Sequence, residues 1–316
     1  MKSPKKILSQ LNILAQCKKY NLSPWQCPQF LFLVMGALII SSTIIAYIIG
    51  TRFIEDPLAV ALVIVSLAEI LITITVVITH SFERLAEASR MKSEFISIVS
   101  HQLRSPLSNL KWTIELLMSG KLGKIEEKQT EYFKILKENS NRMQILISDL
   151  LTVSKIESAG LPLRQEEFYL QDLITELIAR YKSFARASNV EITFNSQKDL
   201  PKITSDPSQI TLVLENLLDN SIRYIKDRGR VEVQISKKNK TIHLSVKDNG
   251  VGISKRDQKY IFQKFFRGEN IMRYQTQGSG LGLYISRAII KKAGGKLSFE
   301  SEENKGSTFW FTLPIK

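Results

Sequence analysis

Cysteine is nearly absent from this chain. Its only two, Cys17 and Cys27, lie within the first thirty of 316 residues. Their spacing makes no metal-ligand pair, so a disulfide framework and a thiolate metal site are both excluded. Such usage fits a reducing compartment for the bulk of the chain. Histidine is as scarce, with only His80, His101 and His243. Acidic residues are in deficit, 30 against 44 Lys plus Arg, for a formal net charge of +14. A balance of that sign points to nucleic acid or to an anionic membrane surface. Arg-rich runs, zinc spacing and an aromatic RNA platform are missing, so no nucleic-acid partner is expected.

Charge is missing altogether from Gln29 to Gly50, and a second apolar run from Pro57 to Thr79 carries one acid, Glu69. Each run has the roughly 20 residues needed to cross a bilayer. The first is too long, starts too late and lacks the small-residue site of a cleaved signal peptide. Lys2, Lys5, Lys6, Lys18 and Lys19 precede the first run, and Arg84, Arg90 and Lys92 follow the second. The positive-inside rule therefore expects both ends in the cytoplasm of a multi-pass membrane protein. Residues 51–56 form a short outer loop, too short for a sensor domain, so a stimulus would enter through lipid, the spans or a partner. Glu69 is costly in lipid and is expected to face a helix bundle, either as a sensing contact or as a neutralised carboxyl. Trp25 and Tyr47 suit interface anchors. The expected organisation is a cytoplasmic segment 1–28, two transmembrane helices within 29–79, a helical linker and hairpin at 80–160, and a second domain at 161–316.

Residues 80–87 lack Pro and Gly, so one helix can run from the second span into the next segment. There Ile96, Val99, Leu103, Leu110, Ile114 and Leu117 recur at helical spacing. His101 lies about 200° around that helix from Val99 and from Leu103, facing away from the stripe. An exposed neutral imidazole is a competent nucleophile. Pro106 removes one backbone donor and permits a kink. The helix is expected to stop near Ser119-Gly120. A second helix, 126–157, carries Tyr132, Ile135, Leu136, Met143, Leu146, Ile147, Leu150 and Leu151. A hairpin with one apolar face buries little alone and is expected to dimerise into a four-helix bundle.

Beyond about residue 163 the pattern changes. A helix is expected from Leu170 to Ala187, and strands at 190–194, 231–235, 242–246, 296–299 and 308–312. Another helix is expected over 279–292. This order implies an α/β sandwich, one sheet against one helical layer. His243 reads as a surface strand residue. Four clusters carry chemistry. Asn216 and Asn220 share a helix face, and their amide oxygens suit a hard cation such as Mg²⁺ together with phosphates. Asp248 precedes Gly250 and Gly252; its carboxylate can accept from an exocyclic amine, and the glycines let backbone approach a ligand. Gly278-Ser279-Gly280-Leu281-Gly282 opens a helix, where backbone N–H groups suit phosphate. Lys264, Arg267 and Arg273 lie in an aromatic-basic stretch and the polar run after it, able to offset phosphate charge.

Taken in order, these clusters resemble the sensor histidine kinases, with a Bergerat-type ATP-binding domain. The resemblance covers roughly residues 90–316. It rests on the box around His101, on Gln129-Thr130-Glu131-Tyr132 and Asp149-Leu150-Leu151, on the Asn216–Tyr224 segment, both glycine clusters, the Phe-rich stretch and Gly306-Ser307-Thr308-Phe309. The resemblance implies ATP-dependent phosphorylation of His101 in a homodimer and transfer to an aspartate on a response regulator receiver domain. Asn220 would be the main Mg²⁺ ligand with Asn216 in support, Asp248 would read adenine, Tyr224 would stack by the base, and Arg223 stands where the family usually has lysine. Two positions depart from the family. Gln102 replaces the acid that usually follows the histidine; it can accept Nδ1–H but cannot serve as a base, so slower chemistry or a profile shifted to higher pH is expected. Ser105 stands where Thr or Asn is common, which leaves a hydroxyl for weak phosphatase activity. Arg104 is either a phosphate contact or a solvated charge. A gyrase- or chaperone-type ATPase and a non-catalytic membrane scaffold are the alternatives.

Overall fold

The computed structural model describes residues 28–123, 125–158, 163–268 and 278–315. The N-terminal lysines, Trp25, both cysteines and Arg273 lie outside them. The chain divides into two units, one of residues 1–99 with 157–160, the other of 100–156 with 161–316.

In the first unit, α1 (Pro28–Phe53) and the start of α2 (Pro57–Met118) are joined by a short turn at Ile54–Asp56. The Asp56 carboxylate accepts from Leu58 N at 2.9 Å and starts α2. Phe32–Phe53 and Pro57–Phe82 are long and apolar enough to cross a membrane, with mean hydropathies of 2.4 and 2.7. Their large side chains, Phe32, Ile40, Leu62 and Val65 among them, are exposed rather than packed in a protein core. Each Ser and Thr from 41 to 81 donates to a carbonyl three or four residues back in its own helix. These hydroxyls thus need no water, the condition a bilayer imposes. Glu69 does not face a bundle within the chain; it is exposed. Helix packing sets this outcome, since the faces of α1 and α2 that meet bury Val60 and Thr75 instead.

The second helix runs unbroken for 62 residues through Pro106. Because Pro106 has no N–H, the carbonyl of Gln102 loses its helical partner. Met118 ends the helix, and Gly120 adopts φ +73, the left-handed stop a side chain would oppose. The return helix α3 (Glu127–Ser158) lies antiparallel to α2, with Glu115–Lys137 at 3.2 Å and Ser140 Oγ to the Leu107 carbonyl at 3.5 Å.

Of the expected apolar stripes in the hairpin, Ile114 is the one residue that is fully buried. The residues that disappear are small or few: Ser93, Ser100, Leu107 and Ile114 on α2, and Ser140, Val153 and Ser154 on α3. Leu103, Leu110, Tyr132, Ile135, Leu136, Met143 and Leu146 stay exposed. Leu107 and Ile114 share the buried face of α2 with the serines, while the bulkier stripe of α3 stays outward.

The remainder of the second unit is an α/β sandwich. β1 (Glu166–Phe168) pairs with β3 (Ile203–Ser205) in a small antiparallel ribbon. β2 (Val190–Ser196), β4 (Gly229–Lys238), β5 (Thr241–Asp248), β6 (Lys296–Glu302) and β7 (Gly306–Pro314) form one sheet in the order β2-β4-β5-β7-β6. Only β2–β4 is parallel. Helices α4 (Leu170–Ala187), α5 (Pro207–Arg223) and α6 (Gly282–Lys292) cover one face. Alternation sets which strand residues meet them. Val231, Val233, Ile235, Ile242, Leu244, Val246, Phe309, Phe311 and Leu313 are buried against Leu177, Leu214, Leu217, Ile285 and Ile289. His243 points to the other face, half-buried, and burial lowers its pKa, with Lys238 adding to the effect. Asp206 caps α5 by accepting from Ser208 N and Gln209 N, with Pro207 at the first turn, a cap worth about 1 kcal/mol.

Candidate functional site

The functional side chains gather where β5 ends and α5 closes. Asp248, the last residue of β5, is 7% exposed. Its Oδ1 accepts from Gly250 N at 2.9 Å and Ser307 N at 3.2 Å; Oδ2 has only Ser221 Oγ, at 3.5 Å. One carboxylate oxygen is therefore consumed by the fold, while the other is left for a donor from a ligand. Burial pushes the carboxyl up to about 6, against the pull of these hydrogen bonds.

The loop after Asp248 is pinned on both sides. Val251 N donates to the Tyr224 carbonyl at 2.9 Å, and Asn304 N to the Val251 carbonyl at 2.7 Å. A Cβ on Gly250 would stand 2.5 Å from the Tyr224 oxygen. On Gly252, held at φ +65, it would stand 2.0 Å from the Glu302 oxygen. Both glycines thus answer to the protein's own backbone, and Gly252 lines the ligand-sized cavity as well. Gly252→Ala combines left-handed strain with a backbone clash and is expected to destabilise the fold by about 3–5 kcal/mol. Gly278→Ala, with nothing within 4 Å of the added carbon, should cost only its φ penalty. Urea midpoints of the two variants check the difference.

Asp248 lines a cavity of about 480 Å³, ordinary for a small-molecule site. Asn216, Asn220, Arg223 and Tyr224 line it from α5, Gly252 and Arg267 from the loops, and Gly278, Ser279, Gly280 and Gly282 from the glycine segment. Asn216 Nδ2 donates to the Gly282 carbonyl and to Ser286 Oγ, both at 3.3 Å, tying α5 to α6. Arg223 Nε donates to Asp219 at 2.6 Å, and its guanidinium lies 6.0 Å from the centre of the Phe184 ring. Burial raises the Tyr224 phenol. The glycine segment is a loop rather than a helix start. Gly278 and Gly280 have φ of +138 and +68, and Gly280 abuts the Phe265 backbone, so α6 begins only at Gly282.

Three expected ligand contacts lie outside the cavity. Gly250 and Leu281 do not line it; Leu281 is buried in the core instead. The Lys264 ammonium sits 5.2 Å above the Tyr284 ring. His101, Gln102 and Ser105 are exposed on α2 and also do not line it. His101 stands six residues before Leu107, so the antiparallel register sets it level with Leu146 of α3.

One wall of the cavity comes from α3, which local sequence pattern does not mark. Ile135, Asn139, Arg142, Ile145, Leu146 and Asp149 line the cavity, and Ser279 Oγ donates to Asp149 Oδ2 at 2.8 Å. Burial raises the Asp149 carboxyl, although the Ser279 bond pulls the other way. No local signal separates a wall residue on α3 from a solvated one, because the contact spans 130 residues of chain.

Residues 91–159 match the His Kinase A (phospho-acceptor) domain, and residues 205–316 the histidine kinase-, DNA gyrase B- and HSP90-like ATPase domain. The chain is 30% identical over 239 residues to the signal transduction histidine-protein kinase BarA of Escherichia coli K12, across 74% of this chain and 26% of that protein. It is 31% identical to the sensor protein GacS of Pseudomonas syringae (72% and 26%) and 30% identical to the sensor histidine kinase WalK of Bacillus subtilis (71% and 37%). The chain thus spans about a quarter of the length of BarA and GacS. Among solved structures it resembles full-length ShkA in complex with AMPPNP, with a TM-score of 0.60 and 25% identity over 70% of this chain and 45% of that one. It shares its fold with histidine kinase ThkA in complex with the response regulator protein TrrA, with a TM-score of 0.50 and 24% identity over 72% and 64%. With a phospho-acceptor hairpin followed by an α/β ATPase-type domain, the chain belongs to the two-component sensor histidine kinases.

Proposed function

We propose that this chain is a membrane-anchored sensor kinase that phosphorylates its own His101 from ATP and passes the phosphoryl group to an aspartate of a response regulator. One observation carries the reading. A single cavity is lined by the Asp248 carboxyl, the Asn220 amide and the glycine segment, in a chain that also exposes a histidine on a long helix. Asp248 Oδ2 would accept from the adenine amine, Tyr224 would lie by the base, and the glycine loop with Arg267 would meet the phosphates. Among the described residues no three His, Cys, Asp or Glu side chains cluster to hold a metal. Amide oxygens of Asn220, with Asn216 beside it, therefore suit an ion that takes most of its ligands from phosphate, as Mg²⁺ does. Bound there, Mg²⁺ would offset the charge of the phosphates.

In the reaction, His101 Nε2 forms a bond to the γ-phosphorus, the bond to the bridging β–γ oxygen breaks, and ADP leaves with that electron pair. The Nδ1 proton rests against the Gln102 side-chain oxygen or water. Because His101 lies outside the cavity while α3 forms one wall of it, transfer requires the ATP domain to leave α3 or a second copy to present its histidine. The exposed stripe on α2 and α3 supports a homodimer built as a four-helix bundle. The two apolar helices support membrane insertion with both domains cytoplasmic. Segments 1–28, 29–79, 80–160 and 161–316 are the working divisions of this reading, and the exposed Ser105 hydroxyl leaves room for weak phosphatase activity.

The test is to incubate the full chain with Mg²⁺ and γ-labelled ATP. Acid-labile, alkali-stable label is expected. Hydrolysis without label would instead indicate a gyrase- or chaperone-type ATPase, and nucleotide binding without either would indicate a scaffold. Gln102→Glu supplies an acceptor of fuller charge beside the imidazole. It is expected to raise the labelling rate by about a hundredfold, at the low end of general-base effects, and to move the profile to lower pH. An unchanged rate and profile would remove Gln102 from the mechanism.

A further inference from the structure

The five-stranded sheet has two chemically different ends. Asp248, Gly229 and Ser307 mark one, where the cavity opens. At the other end the β4–β5 turn, the last residues of β7, the start of β6 and the end of α6 come together, with Thr241 opposite Pro314, Lys296 opposite Thr312, and Gly294 against Pro314. Lys237, Lys238, Lys240, Lys291, Lys292 and Lys296 stand there, all exposed. None of the six pairs with a carboxylate among the described residues. The acids of this end, Glu166, Glu167, Asp172 and Asp199, belong to the flank of β1, α4 and the loop after β2.

The chain also comes into the domain at this end. α4 turns into β2 at Ser188-Asn189, and Asn189 accepts from Gly229 N at the cavity end. Since α4 packs along β2, its first residue lies about 27 Å away, at the lysine end. Just upstream, Glu157 meets Lys92 at 3.9 Å. Lys92 is ten residues, about 15 Å of helix, beyond the end of the second apolar segment at Phe82. The six residues from Glu157 to Leu163 span at most about 20 Å.

We propose that this lysine end docks on anionic headgroups of the membrane that the two apolar helices cross, with the nucleotide cavity facing away. The proposal rests on the membrane reading above. A lysine close to an anionic surface contributes about 1 kcal/mol, roughly fivefold in population. Replacing Lys237, Lys238 and Lys240 with Gln should therefore lower the docked population about a hundredfold.

The test is amine footprinting of the full chain in nanodiscs of phosphatidylcholine, with and without phosphatidylserine. The six lysines are expected to react several-fold more slowly in the anionic discs, while Lys255 and Lys305 at the cavity end react equally in both. High salt should abolish the protection, and the triple Gln variant should restore reaction at Lys291, Lys292 and Lys296. Equal rates in both discs would overturn docking and leave the membrane reading standing. Failure of the chain to stay with the discs would overturn both. Protection in neutral discs on adding duplex DNA would reassign the patch to nucleic acid.

Discussion

His101→Gln is expected to take acid-labile label to background while nucleotide affinity stays where it was. The two readouts separate because the structure separates the groups: His101 is exposed on α2 and does not line the cavity. Glutamine keeps a polar side chain of similar reach but offers no nitrogen lone pair to phosphorus. Removing an exposed side chain also leaves the hairpin seam of Ser93, Ser100, Leu107 and Ile114 intact, so the fold should survive. Labelling assays alongside titration with a fluorescent nucleotide check both arms. Persistent label would move the phosphoacceptor to another residue, and lost binding would mean that His101 supports the cavity after all.

Asp248→Asn is expected to weaken nucleotide binding by about 10–100-fold, the range of 1–3 kcal/mol for an unpaired buried polar group. An Asn oxygen can still accept from Gly250 N and Ser307 N, which keeps the loop in place. Its NH₂ then points at the position of Oδ2, where an adenine amine would meet a donor instead of an acceptor. The wild-type protein adds a pH dependence. Burial holds the Asp248 carboxyl at about 6, so the empty site is protonated below that value. A ligand amine selects the ionised form, and affinity should fall as pH drops through about 6. The sign for folding is opposite. A carboxyl raised from 3.8 to about 6 binds its proton longer in the native state, so its contribution to stability is present at acid pH and is lost as pH rises through that window. Binding isotherms between about pH 5 and pH 8 should slope for the wild type and lie flat for the Asn variant.

Much of the fold is legible in the sequence because its signals are local. Two apolar runs, a 3.6-residue period and five alternating segments mark α1, α2, α3 and the five strands of the large sheet within a few residues, while the short β1–β3 ribbon has no such mark. The Leu170–Ala187 helix has the expected ends. What local pattern misreads is the partner of each face. The apolar stripe from Tyr132 to Leu146 looks like the seam of the hairpin, yet it stays exposed, and the seam is made of Ser93, Ser100, Leu107, Ile114 and Ser140. Gly250 looks like a ligand-facing glycine, yet it does not line the cavity, and its missing Cβ makes room for the Tyr224 carbonyl. The same limit hid the α3 wall and the Ser279–Asp149 bond.

By itself the sequence determined residue chemistry and spacing: the exposed histidine two spans after the N-terminus, Gln102 beside it, the asparagine pair, and the aspartate before its glycines. Only the tertiary structure decided which oxygen of Asp248 the backbone of the fold occupies, that Leu281 and Lys264 stand away from the cavity, and that six lysines from three elements and a turn share one end of the sheet. The physical reason is common to all three. Helical and strand periods act over a few residues, whereas hydrogen-bond satisfaction, close packing and charge accumulation depend on chain segments far apart in sequence.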